Sequence, residues 1–111
     1  MKVLVKKTIL YYSQLYKNAS TSLLIWHQEF SKHEFSNFNE LKSVYKSASI
    51  VNNKRVVFNI KGNDFRLVVS INFFQNTCYV IWFGTHKEYD KINVETISFD
   101  VKILTKKLNK L

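Results

Sequence analysis

Residues 54–90 read KRVVFNIKGNDFRLVVSINFFQNTCYVIWFGTHKEYD. Val56, Phe58 and Ile60 fall on one side of the first run, with Arg55, Val57, Asn59 and Lys61 on the other. Phe65, Leu67, Val69, Ile71 and Phe73 share one side of the second run, opposite Arg66, Ser70 and Asn72. A period of two marks half-buried strands. Gly62-Asn63 between them suits a two-residue hairpin turn. That turn pairs Ile60 with Phe65, Phe58 with Leu67 and Asn59 with Arg66, so like meets like. A third strand is predicted from Cys78 to about Gly84, after a three-residue loop at Gln75-Asn76-Thr77. It is apolar on both sides, as a well-covered strand is. The loop length predicts the pairs Phe74–Cys78, Ile71–Ile81, Val69–Phe83 and Arg66–His86. Asn59, Arg66 and His86 then stand side by side on an uncovered face. A slip of one residue would turn every side chain over.

The flanking sequence reads as helices before a meander. Lys2 to Val5 opens as a short strand, and Val5, Ile9, Tyr12 and Tyr16 follow at helical spacing. Asn18-Ala19-Ser20-Thr21 breaks that pattern and supplies candidate N-caps. A second helix runs from about Ser22 to Lys32, with Leu23, Trp26 and Phe30 as its apolar stripe. His27 and His33 lie beside the stripe and read as helix-surface residues. After a turn at Asn37-Phe38-Asn39, a short helix carries Leu41, Val44, Tyr45 and Ala48. Val94 to Phe99 reads as a short strand or a further turn. The fold class is α+β, with N-terminal helices covering one face of a small antiparallel sheet and the other face left free.

The chain has 111 residues, 46% of them apolar and 15% aromatic, enough for one folded domain. Residues 100–111 form a Lys-rich extension with Val101, Leu104, Leu108 and Leu111 at helical spacing. The net charge of +9 favours a polyanionic partner. Cys78 is the single cysteine, so it forms no internal disulfide and reads as a buried thiol. No run approaches a membrane span of ~20 apolar residues. The N-terminus lacks a signal-peptide core, so the expected location is cytoplasmic, without membrane association. No Cys/His spacing resembles a metal site, and no cofactor is implied.

The polar residues around the meander suit RNA cleavage. That reaction needs a proton acceptor for a 2′-hydroxyl, a proton donor for the leaving 5′-oxygen, and a fixed cation for the phosphorane. The guanidinium fork of Arg66 fits a phosphate. His86 exchanges protons near neutrality. Tyr89 donates a hydrogen bond or stacks on a base. Lys54, Arg55, Asn59, Lys61 and Lys87 are candidate RNA contacts, and metal ligands are not expected. The rival classes are a non-catalytic RNA- or DNA-binding module and a protein-binding module with a basic surface. Lys61-Gly62-Asn63-Asp64-Phe65 does not match the aromatic RNA-binding strand of an RNA-recognition motif, and no basic recognition helix stands out.

Two blocks also carry a resemblance. Residues 58–68, FNIKGNDFRLV, and residues 84–92, GTHKEYDKI, resemble the corresponding blocks of HigB-type toxins, with Phe38-Asn39-Glu40-Leu41-Lys42 fitting upstream. The similarity spans about residues 1 to 95 and leaves the Lys-rich tail uncovered. It implies a RelE-like fold and a ribosome-associated mRNA endonuclease. It further implies neutralisation by a helix-turn-helix antitoxin of the HigA type. Arg66, His86 and Tyr89 match the positions such a toxin is expected to use.

Overall fold

A computed structural model describes residues 1–99. The predicted Lys-rich helix over 100–111 lies outside the described residues. The order is β1 (Lys2–Leu4), α1 (Lys6–Leu15), a 3-10 turn (Lys17–Ala19), α2 (Ser20–Lys32), α3 (Phe38–Val44), β2 (Ser49–Val51), β3 (Arg55–Ile60), β4 (Phe65–Asn72), β5 (Thr77–Thr85) and α4 (His86–Tyr89). The strands form one sheet in the order β1-β5-β4-β3-β2. The α+β class and the helices on one face are as expected. The meander is widened at both edges, by β2 antiparallel to β3 and by β1 parallel to β5, so the sheet is mixed.

The first hairpin forms as its alternation dictates: Ile60 pairs with Phe65, Asn59 with Arg66 and Phe58 with Leu67. Gly62 takes a positive φ in the connecting turn, and so does its neighbour Lys61. The second hairpin corrects the predicted register. Its connection is Phe73–Asn76, with Asn76 left-handed as expected, and β5 begins at Thr77. Ile71 therefore pairs with Cys78, Val69 with Val80, Leu67 with Phe83 and Arg66 with Gly84. Ile81 is an extra residue between the Val69–Val80 and Val68–Trp82 pairs. A bulge of this kind shifts the strand's phase, which lets Val80 and Phe83 both face the helices.

Aromatic packing fills the helix side. Trp26 stacks on Phe30 with centroids 4.9 Å apart, Phe30 meets Phe58 edge-on at 5.5 Å, and Phe65 lies parallel to Phe83 at 5.4 Å. Such pairs add about 0.5–1.5 kcal/mol each beyond area burial. Cys78 is wholly buried, and burial pushes its thiol pKa up to about 12. It is the inert core residue expected.

The second face is not left free. Arg55 donates through Nη1 to the carbonyls of Val94 (2.9 Å) and Ile97 (2.6 Å), strapping the chain after α4 across β3. Ile97 and Ser98 then pass beside Ile81 and Trp82, and Phe99 reaches an apolar cavity with Leu4, Val5 and Tyr79. Residues 94–99 form no strand. Val57 and Val68 are buried on this side, apart from the helix-side core. Among the described residues, the end of the face around Arg66 and α4 stays open.

Candidate active site

The open end is built by the 61–64 turn and the exit of β5. Asp64 O accepts from His86 N at 3.0 Å, which brings the first residue of α4 beside the turn. Arg66 Nη1 donates to Asn63 O (2.9 Å) and Phe65 O (3.0 Å), fixing the guanidinium at the same place. Arg66 is half-buried and His86 exposed.

Helix α4 is one turn long, so its ends need external support. Thr85 Oγ1 accepts from Glu88 N at 3.1 Å, and Glu88 Oε1 accepts from Thr85 N at 2.8 Å, a reciprocal capping box. Glu88 Oε1 also accepts from Tyr16 Oη at 2.8 Å, at the end of α1. The Thr85 backbone bond holds the Glu88 carboxyl below its ordinary pKa. Burial first, and the Glu88 bond second, push the Tyr16 phenol far up. Glu88 thus has the helix-start role its position suggests, and Tyr16 is a supporting residue that helical spacing showed only as core.

Tyr89 stands half-buried at the end of α4. Its ring lies 6.1 Å from that of Trp82. Burial raises its pKa, the Arg66 cation opposes that, and Asp90 adds to it. Arg66 and Tyr89 are therefore within electrostatic reach, and the phenol stays protonated as a donor at neutral pH.

The predicted Arg66–His86 strand pair does not exist, because β5 has ended before His86. The Asp64–His86 bond nonetheless brings His86 to the turn beside Arg66. Asn59 is the cross-strand partner of Arg66, Lys61 is exposed in the turn, and Lys87 is exposed on α4. Lys54 is at the opposite end of β3, about 20 Å away at strand rise. Arg55 is committed to the strap, so it and Lys54 stand apart from this cluster. Trp82 is a further half-buried aromatic on the site's face, missed because an apolar residue in an all-apolar strand carries no facing signal. Among the described residues no group of three or more His, Cys, Asp or Glu could hold a metal ion, and no helix is long and apolar enough to cross a membrane.

Together the cluster offers a fixed cation, an imidazole, a protonated phenol and an indole platform at one solvent-facing corner. These groups suit a phosphodiester with an adjacent base.

Residues 19–92 match the family model described as HigB_toxin, RelE-like toxic component of a toxin-antitoxin system. The chain is 30% identical over 92 residues to the "mRNA interferase toxin HigB" of Escherichia coli strain K12, covering 81% of this chain and 88% of the relative. The same identity and coverage hold for the "mRNA interferase HigB" of Escherichia coli O157:H7 and of Shigella flexneri.

Proposed function

This chain belongs to the HigB toxin family of RelE-like toxins, and on that premise we propose that Arg66, His86 and Tyr89 form its RNA-cleaving site. The protein is the toxin of a type II toxin–antitoxin pair, an endoribonuclease that acts on mRNA and is matched by an antitoxin. Family membership removes the non-catalytic binding modules as rival readings.

In the proposed reaction the 2′-oxygen attacks the adjacent phosphorus and the bond to the 5′-oxygen breaks. The 2′ proton passes to a base and the leaving oxygen gains one from an acid. The products are a 2′,3′-cyclic phosphate and a 5′-hydroxyl, with no metal in either step. Arg66 binds the phosphate and stabilises the charge that grows on it. Among the described residues its bonds run through Nη1, which leaves the rest of the fork to the ligand. His86 transfers a proton, and Tyr89 partners it or stacks on a base with Trp82. Lys61, Lys87 and Asn59 line the approach. Ribosome-bound mRNA as substrate and a helix-turn-helix antitoxin of the HigA type complete the reading.

The carrying observation is the 61–64 turn, whose carbonyls hold both Arg66 and the start of α4. Arg66→Ala and His86→Ala should each abolish growth arrest, by loss of a contribution of roughly 10²–10⁴-fold in rate, with unchanged circular dichroism. Full toxicity in both variants overturns the site.

A further inference from the structure

Tyr16 caps the end of α1, and its side chain reaches both halves of the proposed site. Its ring meets Phe65 edge-on at 5.6 Å and Phe83 edge-on at 5.5 Å. Phe65 precedes Arg66, and its carbonyl accepts from the guanidinium. The Tyr16 hydroxyl donates to Glu88 Oε1 at 2.8 Å, across 72 positions of sequence. Glu88 stands between His86 and Tyr89 on α4. One side chain thus rests on the strand that carries the cation and bonds to the helix that carries the imidazole and the phenol.

Packing does not require that hydroxyl. A phenylalanine ring would make the same edge contacts with Phe65 and Phe83. What the oxygen adds is a tether on a helix of four residues, which is too short to hold its own place. The capping box closes within residues 85–88, so it shapes the turn without fixing it against the body. The bond from His86 N to Asp64 O anchors α4 to the 61–64 turn, and the Tyr16–Glu88 bond anchors it to α1. Both partners are held in the protonation states that bond needs. The Thr85 backbone N–H keeps Glu88 ionised, and burial keeps the Tyr16 phenol protonated. A hydrogen bond onto an ionised acceptor is among the stronger ones.

We infer that Tyr16 is a positioning residue of the ribonuclease site, setting His86 and Tyr89 against Arg66 through Glu88. The inference rests on the site proposed above and adds to it a residue that acts without touching the reacting atoms.

Tyr16→Phe removes the oxygen and keeps the ring. With ribosome-bound mRNA as substrate, this variant should show a kcat lowered roughly tenfold, as a small displacement of reacting groups does. KM should be nearly unchanged, because Arg66, Lys61 and Lys87 are untouched. The rate loss should exceed any loss of folded fraction at the assay temperature, read from thermal melts. Glu88→Ala should lower kcat at least as far. Adding Tyr16→Phe to Glu88→Ala should cost nothing more, because the acceptor is already gone. A wild-type kcat in Tyr16→Phe overturns the inference. So does a kcat that falls only with the folded fraction, or a further loss of the same size when Tyr16→Phe is added to Glu88→Ala. Failure of the underlying readings looks different: His86→Ala then cuts at the wild-type rate, or the wild type does not cut at all.

Discussion

Tyr89 carries the clearest signature of the site, because two opposed fields act on one phenol. Burial disfavours the phenolate, while the Arg66 cation favours it. Removing the cation leaves burial and the Asp90 carboxylate, which both act upward. Arg66→Ala should therefore move the Tyr89 titration to still higher pH, read from its ring resonances in an alkaline NMR series. A shift in the other direction, or none, would mean that the two side chains do not face each other in solution. The candidate roles of Arg66, His86 and Tyr89 were legible as chemistry, from a fork, an imidazole and a phenol near one hairpin. Arg55 was not. A guanidinium bonded to the carbonyls of Val94 and Ile97 leaves no trace in a sequence, since every residue offers the same carbonyl.

At the scale of elements, the two hairpins differ in what their sequences specify. β3 and β4 alternate cleanly around Gly62-Asn63, so facing and turn agree on one register. β5 is apolar on both sides, so slipped registers bury it almost equally well, and only the true loop and the Ile81 bulge choose between them. The site depends on that choice, because it sets Gly84 rather than His86 opposite Arg66 and starts α4 beside the turn. Gly84 is also where α4 and the Trp82 ring crowd together. A Cβ there would stand 2.7 Å from Trp82 Cη2 and 2.9 Å from Glu88 Oε1. Both must move to admit it. Gly84→Ala should lower stability by about 1–3 kcal/mol, as overpacking does. Because the displaced groups support α4, toxicity should fall further than the folded fraction does. Urea melts paired with growth assays check this. A variant as stable and as toxic as the wild type would show that the close approach is relaxed in solution.

For the whole molecule, the +9 charge becomes informative only once the layers are known. Among the described residues, the helices and the strap leave the corner with Lys61, Lys87 and Arg66 open, whereas Lys32 ends α2 on the other side of the sheet. Composition alone spreads those cations evenly over the surface. If RNA lies on the open corner, its phosphates displace counterions from there. The logarithm of the binding constant should fall linearly with the logarithm of salt, by about 0.7 per phosphate neutralised on a single strand. Lys61→Ala and Lys87→Ala should each reduce that slope by about 0.7 and weaken binding to all sequences alike. Lys32→Ala removes the same charge from the net total and should leave the slope nearly unchanged, because the Debye length is only about 8–10 Å at moderate salt. Fluorescence anisotropy on a short RNA, in a His86→Ala background expected to block cleavage while keeping Arg66 for the phosphate, supplies the three slopes. Equal losses in all three variants would mean that RNA is held by the overall charge rather than by this corner.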